Sequence, residues 1–299
     1  MATKKKTTET ARLGIQKTFK LYIGGAFPRT ESGRYLKSEN HKGEFVANIC
    51  RASRKDFRNS VVAARKAQHG WASRTAFNRA QILYRMAEML ESRRVGFESA
   101  LGELAGYSAK NAAEEVDAAV DRLVWYAGWA DKFPQIMGST NPVASPHFNF
   151  TMPEATGVVA VLAPTKSPLL GLVSALAPVI VSGNAAVVIV ENDAPSIAID
   201  LAEVFHCSDL PGGVVNILTG LRDELVTHIG SHMDVDAVLC CSPSDEERKT
   251  IGVEAAENVK MVKFLDDPKN GKWASEEMQT PYLILSFVEF KTAWHPVGV

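Results

Sequence analysis

Residues 158–190 read VVAVLAPTKSPLLGLVSALAPVIVSGNAAVVIV. Two short runs of Val, Ala, Leu and Ile, Val158 to Leu162 and Ala185 to Val190, carry no period-two alternation, which is how a strand reads when both faces of its sheet are covered. Ser167 to Val190 is without charge for the length of a membrane span. Pro168, Pro178 and the Ser182-Gly183-Asn184 turn nevertheless divide it into a helix, Pro168 to Val181, and a strand, as in a buried α/β core. The alternation continues with Ser196 to Phe205, Val214 to Leu218, Leu221 to Ile229, Ala237 to Cys240, Ser244 to Glu257 and Lys260 to Phe264. Apolar strands interleaved with helices predict an α/β fold, a parallel sheet with helices on both faces.

Working outward, residues 157–265 form this Rossmann-like core, and residues 19–133 read as an N-terminal helical layer. Lys20 to Ala26 (KLYIGGA) is a short strand running into a Gly-Gly turn. Ser53 to Gln68 opens on a Ser N-cap and places Phe57, Val61, Val62 and Ala64 at helical spacing. Ala76 to Leu104 repeats that pattern at length, and Ala112 to Lys132 continues it, with Val116, Ala119, Leu123 and Tyr126 on its apolar face. Trp125, Tyr126 and Trp129 are expected to pack between layers. From Pro134 to Thr156 the pattern turns extended, a hairpin in which Phe148, Phe150 and Met152 alternate. After the core, residues 266–281 are a polar linker. Residues 282–299 hold a long β-prone strand, Tyr282 to Trp294 (YLILSFVEFKTAW), whose natural partner is the hairpin around Phe148. Residues 1–18 read as a disordered tail, since Lys4, Lys5 and Lys6 are not followed by the apolar stretch of a secretory signal.

The 299 residues suit two domains, or one large domain with an appendage. With 46% hydrophobic and 22% charged residues and a mean hydropathy of −0.06, disorder, a fibre and a multi-span membrane protein are poor fits. A net charge of −1 gives no overall attraction to nucleic acid or an anionic membrane, so neither is expected as a partner. Four cysteines without a Cys-x-x-Cys pair exclude a disulfide framework and point to a reducing cytoplasm. His206 beside Cys207, and His228 with His232, lack a third ligand at a recognisable offset, so no metal is expected.

No glycine-rich phosphate loop follows any of the strands. The order of the elements is more informative. Lys20 to Gly25, Asn78-Arg79-Ala80, Tyr126-Ala127-Gly128-Trp129-Ala130, Pro153 to Pro168, Ser182-Gly183-Asn184, Leu210 to Gly220 and Asp234-Val235-Asp236 together resemble an aldehyde dehydrogenase. The run Leu210-Pro211-Gly212-Gly213-Val214-Val215-Asn216-Ile217-Leu218-Thr219-Gly220 is the most specific match. The resemblance covers about Phe19 to Phe264, and Phe287 to Pro296 looks like that family's C-terminal oligomerisation strand.

It implies that the catalytic domain, with its nucleophilic cysteine, is replaced by the short linker; no thiolate is left to form the thiohemiacetal from which such enzymes transfer hydride. Cys240 and Cys241 end a strand and read as buried, inert thiols. Where the family has Pro-Trp-Asn-Phe-Pro, with an oxyanion-holding Asn, this sequence has Pro164-Thr165-Lys166-Ser167-Pro168. Lys166 reads as a solvated lysine rather than an anion-holding or imine-forming one. The family's ribose-binding Lys corresponds to Ile189, which offers no hydrogen bond, and the acid after it to Asn192. Its Gly-Ser-Thr-Glu-Val-Gly run corresponds to Ser242-Pro243-Ser244-Asp245-Glu246-Glu247, where Pro243 at the helix start removes a donor, Ser242 and Ser244 cap, and three carboxylates meet the dipole. The general base aligns near Leu265; Asp266 and Asp267 read as a solvated turn rather than its substitute. The expected cofactor is therefore none, or NAD or NADP bound weakly at a degenerate site.

These features resemble the non-catalytic second module of two-module aldehyde dehydrogenases. The expectation is a catalytically inactive structural or regulatory subunit that forms homo- or hetero-oligomers with an aldehyde dehydrogenase subunit through Phe148, Phe150, Phe287, Phe290 and Trp294. The alternatives are an NAD(P)-dependent aldehyde oxidoreductase whose cysteine domain is supplied in trans, and a nucleotide-binding regulator.

Overall fold

The computed structural model describes residues 15–298, so the first fourteen positions of the expected tail lie outside the described residues. At its centre is a parallel sheet of β6 (Val158–Leu162), β7 (Ala185–Val190), β8 (Val215–Thr219), β9 (Ala237–Cys241) and β10 (Met261–Leu265), in the order β10-β9-β6-β7-β8. The first four are buried along their whole length, which is why their sequences show no alternation. Their side chains sort by parity: Val158, Ala160, Leu162, Val187, Ile189 and Cys240 face one core, and Val159, Val161, Val188, Leu239 and Cys241 the other.

The first core is closed by α1 (Arg54–Ala72), α8 (Val226–Ser231) and α9 (Asp245–Ala256). The second is closed by α2 (Ala76–Ser92), α3 (Arg94–Ala105), α4 (Ala109–Ala127), α6 (Leu170–Val181) and α7 (Ser196–His206). All residues of α6 are buried, explaining its lack of an amphipathic pattern. Among the described residues no helix is long and apolar enough to cross a membrane.

The Gly-Gly-rich run found in the sequence is a packing device. A Cβ on Gly212 would sit 2.7 Å from the Gly24 carbonyl oxygen, and one on Gly213, at φ +96, would sit equally close to the Ala63 carbonyl oxygen. Asn216 then fastens the loops, accepting from Gly24 N at 2.8 Å and donating to Gly213 O at 2.8 Å. Only glycine permits this approach of loop to helix.

Several expectations need correction. The N-terminal layer is not purely helical, since β1 (Thr18–Phe19), β2 (Tyr35–Glu39) and β3 (Phe45–Cys50) form a small sheet, and Thr18, assigned to the tail, pairs with Asn48. Lys20 to Ala26 makes only single bridges, Tyr22 to Ile217 and Ile23 to Ala26. The Ala76 to Leu104 pattern is two helices broken at Arg93, whose N–H turns back to Leu90 O. Pro134 begins no strand but lies in α5 (Lys132–Met137), before the hairpin of β4 (Ser139–Asn141) and β5 (His147–Ala155).

The expected C-terminal strand is also divided. Pro281 precedes one helical turn, α10 (Tyr282–Leu285), and only then comes β11 (Val288–Pro296). Leu283, Ile284 and Phe287 are buried beside α6, so tertiary burial overrides the β propensity of this stretch. β11 runs antiparallel to β5 over its whole length, from Val288 opposite Ala155 to Pro296 opposite His147, completing a sheet of order β11-β5-β4.

The linker between β10 and α10 is polar in sequence but anchored in space. Trp273 is 2% exposed. Arg122, on α4 and equally buried, donates to Trp273 O at 3.0 Å, Met278 O at 2.6 Å and Ser174 Oγ at 2.7 Å, while Tyr126 OH donates to Thr280 O at 3.1 Å. A buried guanidinium that satisfies three oxygens holds this linker against α4 and α6.

Candidate functional site

In an open parallel sheet a ligand crevice forms outside the carboxyl ends of the strands, where the strand order reverses. Here that point lies between β6 and β9. A cleft of about 1060 Å³ lies at this end of the sheet, reached by Thr165, Lys166 and Ser167 after β6, Asn192 and Asp193 after β7, and Arg222 after β8. β2 lies across it through Lys37 and Glu39.

The donors and acceptors that a dinucleotide would use are engaged within the chain. Ser242 Oγ accepts from Thr165 N at 3.4 Å and donates to Asp267 Oδ1 at 2.5 Å, joining the loops on the two sides of the switch point. Ser244 is the N-cap of α9: its Oγ accepts from Glu247 N at 3.1 Å, and Glu247 Oε2 accepts from Ser244 N at 2.8 Å, a reciprocal capping box. Pro243 therefore precedes the cap instead of starting the helix, and it is the capping box that satisfies the terminal donors. Asn192 Oδ1 accepts from Ala194 N at 3.0 Å within its own loop. Pro164 is buried behind the loop. Lys166 is 68% exposed at its side chain and 3.9 Å from Asp193, a surface pair of little energetic weight. Ile189 is fully buried in the core closed by α1, α8 and α9.

Two buried charged residues beside the site, Arg222 and Glu115, are not singled out by the sequence. Arg222 and Glu247 form an ion pair, Nε to Oε1 at 3.2 Å, with side chains only 6% and 8% exposed. Arg222 Nη2 also donates to Cys241 O at 2.6 Å, and its backbone N donates to Glu191 Oε2 at 2.5 Å. The Nε lacks hydrogen-bond alignment toward Glu247, so that contact is coulombic. The only signal in sequence is a charged residue two positions after the strand-ending Thr219-Gly220. The second group is Glu115 on α4. One of its oxygens accepts from Ser167 Oγ at 2.8 Å, Leu170 N at 3.0 Å and Leu169 N at 3.3 Å, so α6 is capped from a neighbouring helix. Burial holds the Glu115 carboxyl above the usual carboxylate range despite these bonds. Ser167, which it grips, stands at φ +56.

These residues do not fit a nicotinamide dinucleotide. Ile189, which the family resemblance sets at the ribose-binding position, offers no hydrogen bond, and α9, which it sets at the pyrophosphate, opens on Asp245, Glu246 and Glu247. Cys50, Cys240 and Cys241 are buried, and Cys207 is exposed. Burial pushes the Cys240 thiol up to about 12 and raises Cys241 as well. Cys207 caps the C-terminus of α7, at the amino ends of the strands and so at the opposite end of the sheet from the cleft, and no thiol lines the cleft. Among the described residues no group of three His, Cys, Asp or Glu side chains is placed to hold a metal ion. His206 instead packs against Tyr22 and Phe27, and His232 against Phe57.

The small sheet stands away from the body. Every residue of β11 except Val288 is exposed, with Phe290 at 50% and Trp294 at 58%. Phe148 is half exposed, and Phe150 packs beside it at 5.5 Å between rings. The pairing register puts Phe148, Phe150 and Met152 on one face and Phe290 and Trp294 on the other. Phe287, expected among the assembly residues, is instead buried in the core, and its carbonyl accepts from Asn184 Nδ2 at 2.7 Å.

A doubly wound sheet is joined here to a three-stranded antiparallel sheet contributed by a hairpin before it and a strand after it, a Rossmann-like architecture with a small appended sheet. Residues 27–266 match the model described as the aldehyde dehydrogenase family, and the chain belongs to that family. It is 29% identical over 247 residues to the mitochondrial benzaldehyde dehydrogenase of Antirrhinum majus, covering 81% of this chain and 46% of that protein. It is 30% identical over 261 residues to cytosolic aldehyde dehydrogenase 1 of Elephantulus edwardii, covering 86% and 51%. Among solved structures, the NAD+ complex of an aldehyde dehydrogenase from Bacillus cereus superposes with a TM-score of 0.79 at 28% identity, covering 85% of this chain and 52% of that one. The chain thus spans about half the length of the relatives it matches.

Proposed function

We propose that this chain is a non-catalytic member of the aldehyde dehydrogenase family, a structural or regulatory subunit that assembles through its small antiparallel sheet. The observation that carries this reading is that Arg222, in the wall of the cleft, is committed to a buried ion pair with Glu247 at the acidic start of α9, while Ile189 is wholly buried in the core. The linker supports it from the other side. Residues 266–287 connect β10 to β11 and pack Trp273 onto α4 and α6 without a nucleophilic thiol. Residues 157–265 then act as a scaffold, and residues 134–156 with 288–296 as the assembly element. Four free thiols suit a reducing, cytoplasmic setting.

A second reading, a nucleotide-binding regulator or a dehydrogenase completed in trans, is favoured by the cleft itself and by the NAD+ complex of the Bacillus cereus relative. Calorimetric titration of the purified protein with NAD and NADP separates them. The scaffold reading expects no heat at millimolar nucleotide. Micromolar binding refutes it, and aldehyde-dependent NADH formation on adding a family member would then mark the dehydrogenase.

A further inference from the structure

We propose that the partner of β11 is β11 of a second copy of this chain, paired antiparallel about a two-fold axis through Thr292. The inference rests on reading the small sheet as the assembly element, and it names the occupant of its free edge.

The direction of the backbone groups comes from the ends of the strand. Phe287 O accepts from Thr156 N, and Val297 N donates to Pro146 O. Both are odd positions, and hydrogen bonding to one neighbour alternates along an antiparallel strand. The odd residues of β11 therefore bond to β5, and the N–H and C=O groups of Phe290, Thr292 and Trp294 point outward. Among the described residues nothing pairs with them. This edge runs the length of β11, whereas the opposite edge of the sheet, β4, is three residues long. A long unpaired edge of this kind is a template for strand addition.

The sequence of the edge selects its own copy. With the axis through Thr292, Phe290 lies opposite the second copy's Trp294 on one face, twice by symmetry, and Glu289 lies opposite His295 on the other. Aromatic pairs directly across antiparallel strands are favourable, and like charges face to face are not. The neighbouring registers are poorer. Moving the axis to Lys291 sets two lysines face to face, and moving it to Ala293 parts Phe290 from Trp294 and sets it against Pro296, which has no N–H to give. An isologous pairing requires this self-complementarity, with each patch serving as both sides of the contact. Phe290 and Trp294, half exposed in the single chain, would cover one another across the strand pair, and the two three-stranded sheets would become one continuous sheet.

The test is sedimentation velocity of the full chain over a wide concentration range, with three variants at the axis. The wild type is expected to be a dimer. Thr292→Pro removes the outward N–H while leaving every β5 bond of odd parity, and should convert it to monomer. Thr292→Val loses only the hydroxyl contact with Thr151 and should stay dimeric. In a Cys207→Ser background, Thr292→Cys should cross-link to a dimer under mild oxidation, whereas Ala293→Cys, whose symmetry mate lies two residues away along the strand, should not. A dimer that survives Thr292→Pro, with no Thr292→Cys cross-link, overturns this pairing and leaves the scaffold reading standing on another surface. A wild-type monomer at every concentration also overturns it, leaving only pairing with a different subunit. Nucleotide binding in the titration above would refute the scaffold reading without touching the dimer, so the two failures are distinguishable.

Discussion

Replacing Arg222 with Met keeps the side-chain volume, removes its charge, and leaves Glu247 buried opposite an apolar group. The pair is 6% and 8% exposed, so solvent cannot compensate the remaining carboxylate. Breaking a buried ion pair from one side costs about 3–5 kcal/mol, including about 1 kcal/mol or more from the orphaned Cys241 carbonyl. Because the Nε to Oε1 contact is not aligned as a hydrogen bond, the lower end, about 3 kcal/mol, is the expected value. With a urea m-value of about 3 kcal/mol/M, that loss lowers the unfolding midpoint by about 1 M. Glu247→Gln keeps an oxygen for the capping box and strands the arginine instead. The double variant Arg222→Met/Glu247→Gln, with neither charge, should recover most of the loss, giving a coupling of about 2 kcal/mol in a double-mutant cycle. Additive losses, or a single loss under about 1 kcal/mol, would refute the commitment of Arg222 to this pair. NAD binding by the double variant while Ile189 remains would instead refute the ribose defect assigned to Ile189, which is independent of the ion pair.

Arg122→Ala leaves three oxygens without their donor and should cost about 2–4 kcal/mol. Amide exchange in residues 269–280 should accelerate far more than in β6 or β7, and uniform exchange would argue against the clamp. At Glu115 the raised folded-state value means that the native protein holds this proton more tightly than the unfolded chain. Its stabilising contribution is complete below the unfolded value of about 4.3 and is lost as pH rises through the raised value. Glu115→Gln retains an oxygen for the three donors and stays neutral, so melting temperatures should fall less for the variant than for the wild type as pH is raised from about 4 to 7; parallel curves would refute the assignment. In the native protein a thiol reagent should modify Cys207 and leave Cys50, Cys240 and Cys241 unreacted until denaturant is added; rapid native reaction of a second thiol would contradict their burial.

The central sheet was legible because its strands are buried on both faces, and a short apolar run without alternation suits little besides the middle of a covered sheet. The Gly212-Gly213 run was legible as a family mark, although its cause, the approach to Gly24 and Ala63, is a tertiary fact. Ile189, Ser244 and the three acids of α9 could be read as departures from a binding site because each replaces a specific hydrogen-bonding role. Arg222 and Glu115 could not, since their significance lies in partners 25 and 52 positions or more along the chain, brought together by packing alone. The same limit explains Phe287 and α10. In isolation YLILSF is a strand, and only the face of α6 turns its first residues into a helical turn and its phenylalanine into core.

The register of β11 on β5 has a bearing on the order in which the molecule is made. Thr151 and Thr292, directly opposite, are separated by nearly half the chain, and closing so long a loop is slow relative to local helix formation. During synthesis, β5 leaves the ribosome with one edge held only by the short β4, and it keeps the other open until residues 288–296 emerge. The docking of Ile284 and Phe287 beside α6 is what brings the last strand within reach of that edge. The small sheet is then completed last, after the doubly wound half has already folded, so that nascent chains pass through an interval in which a different strand, from a neighbouring polypeptide, can take the vacant place.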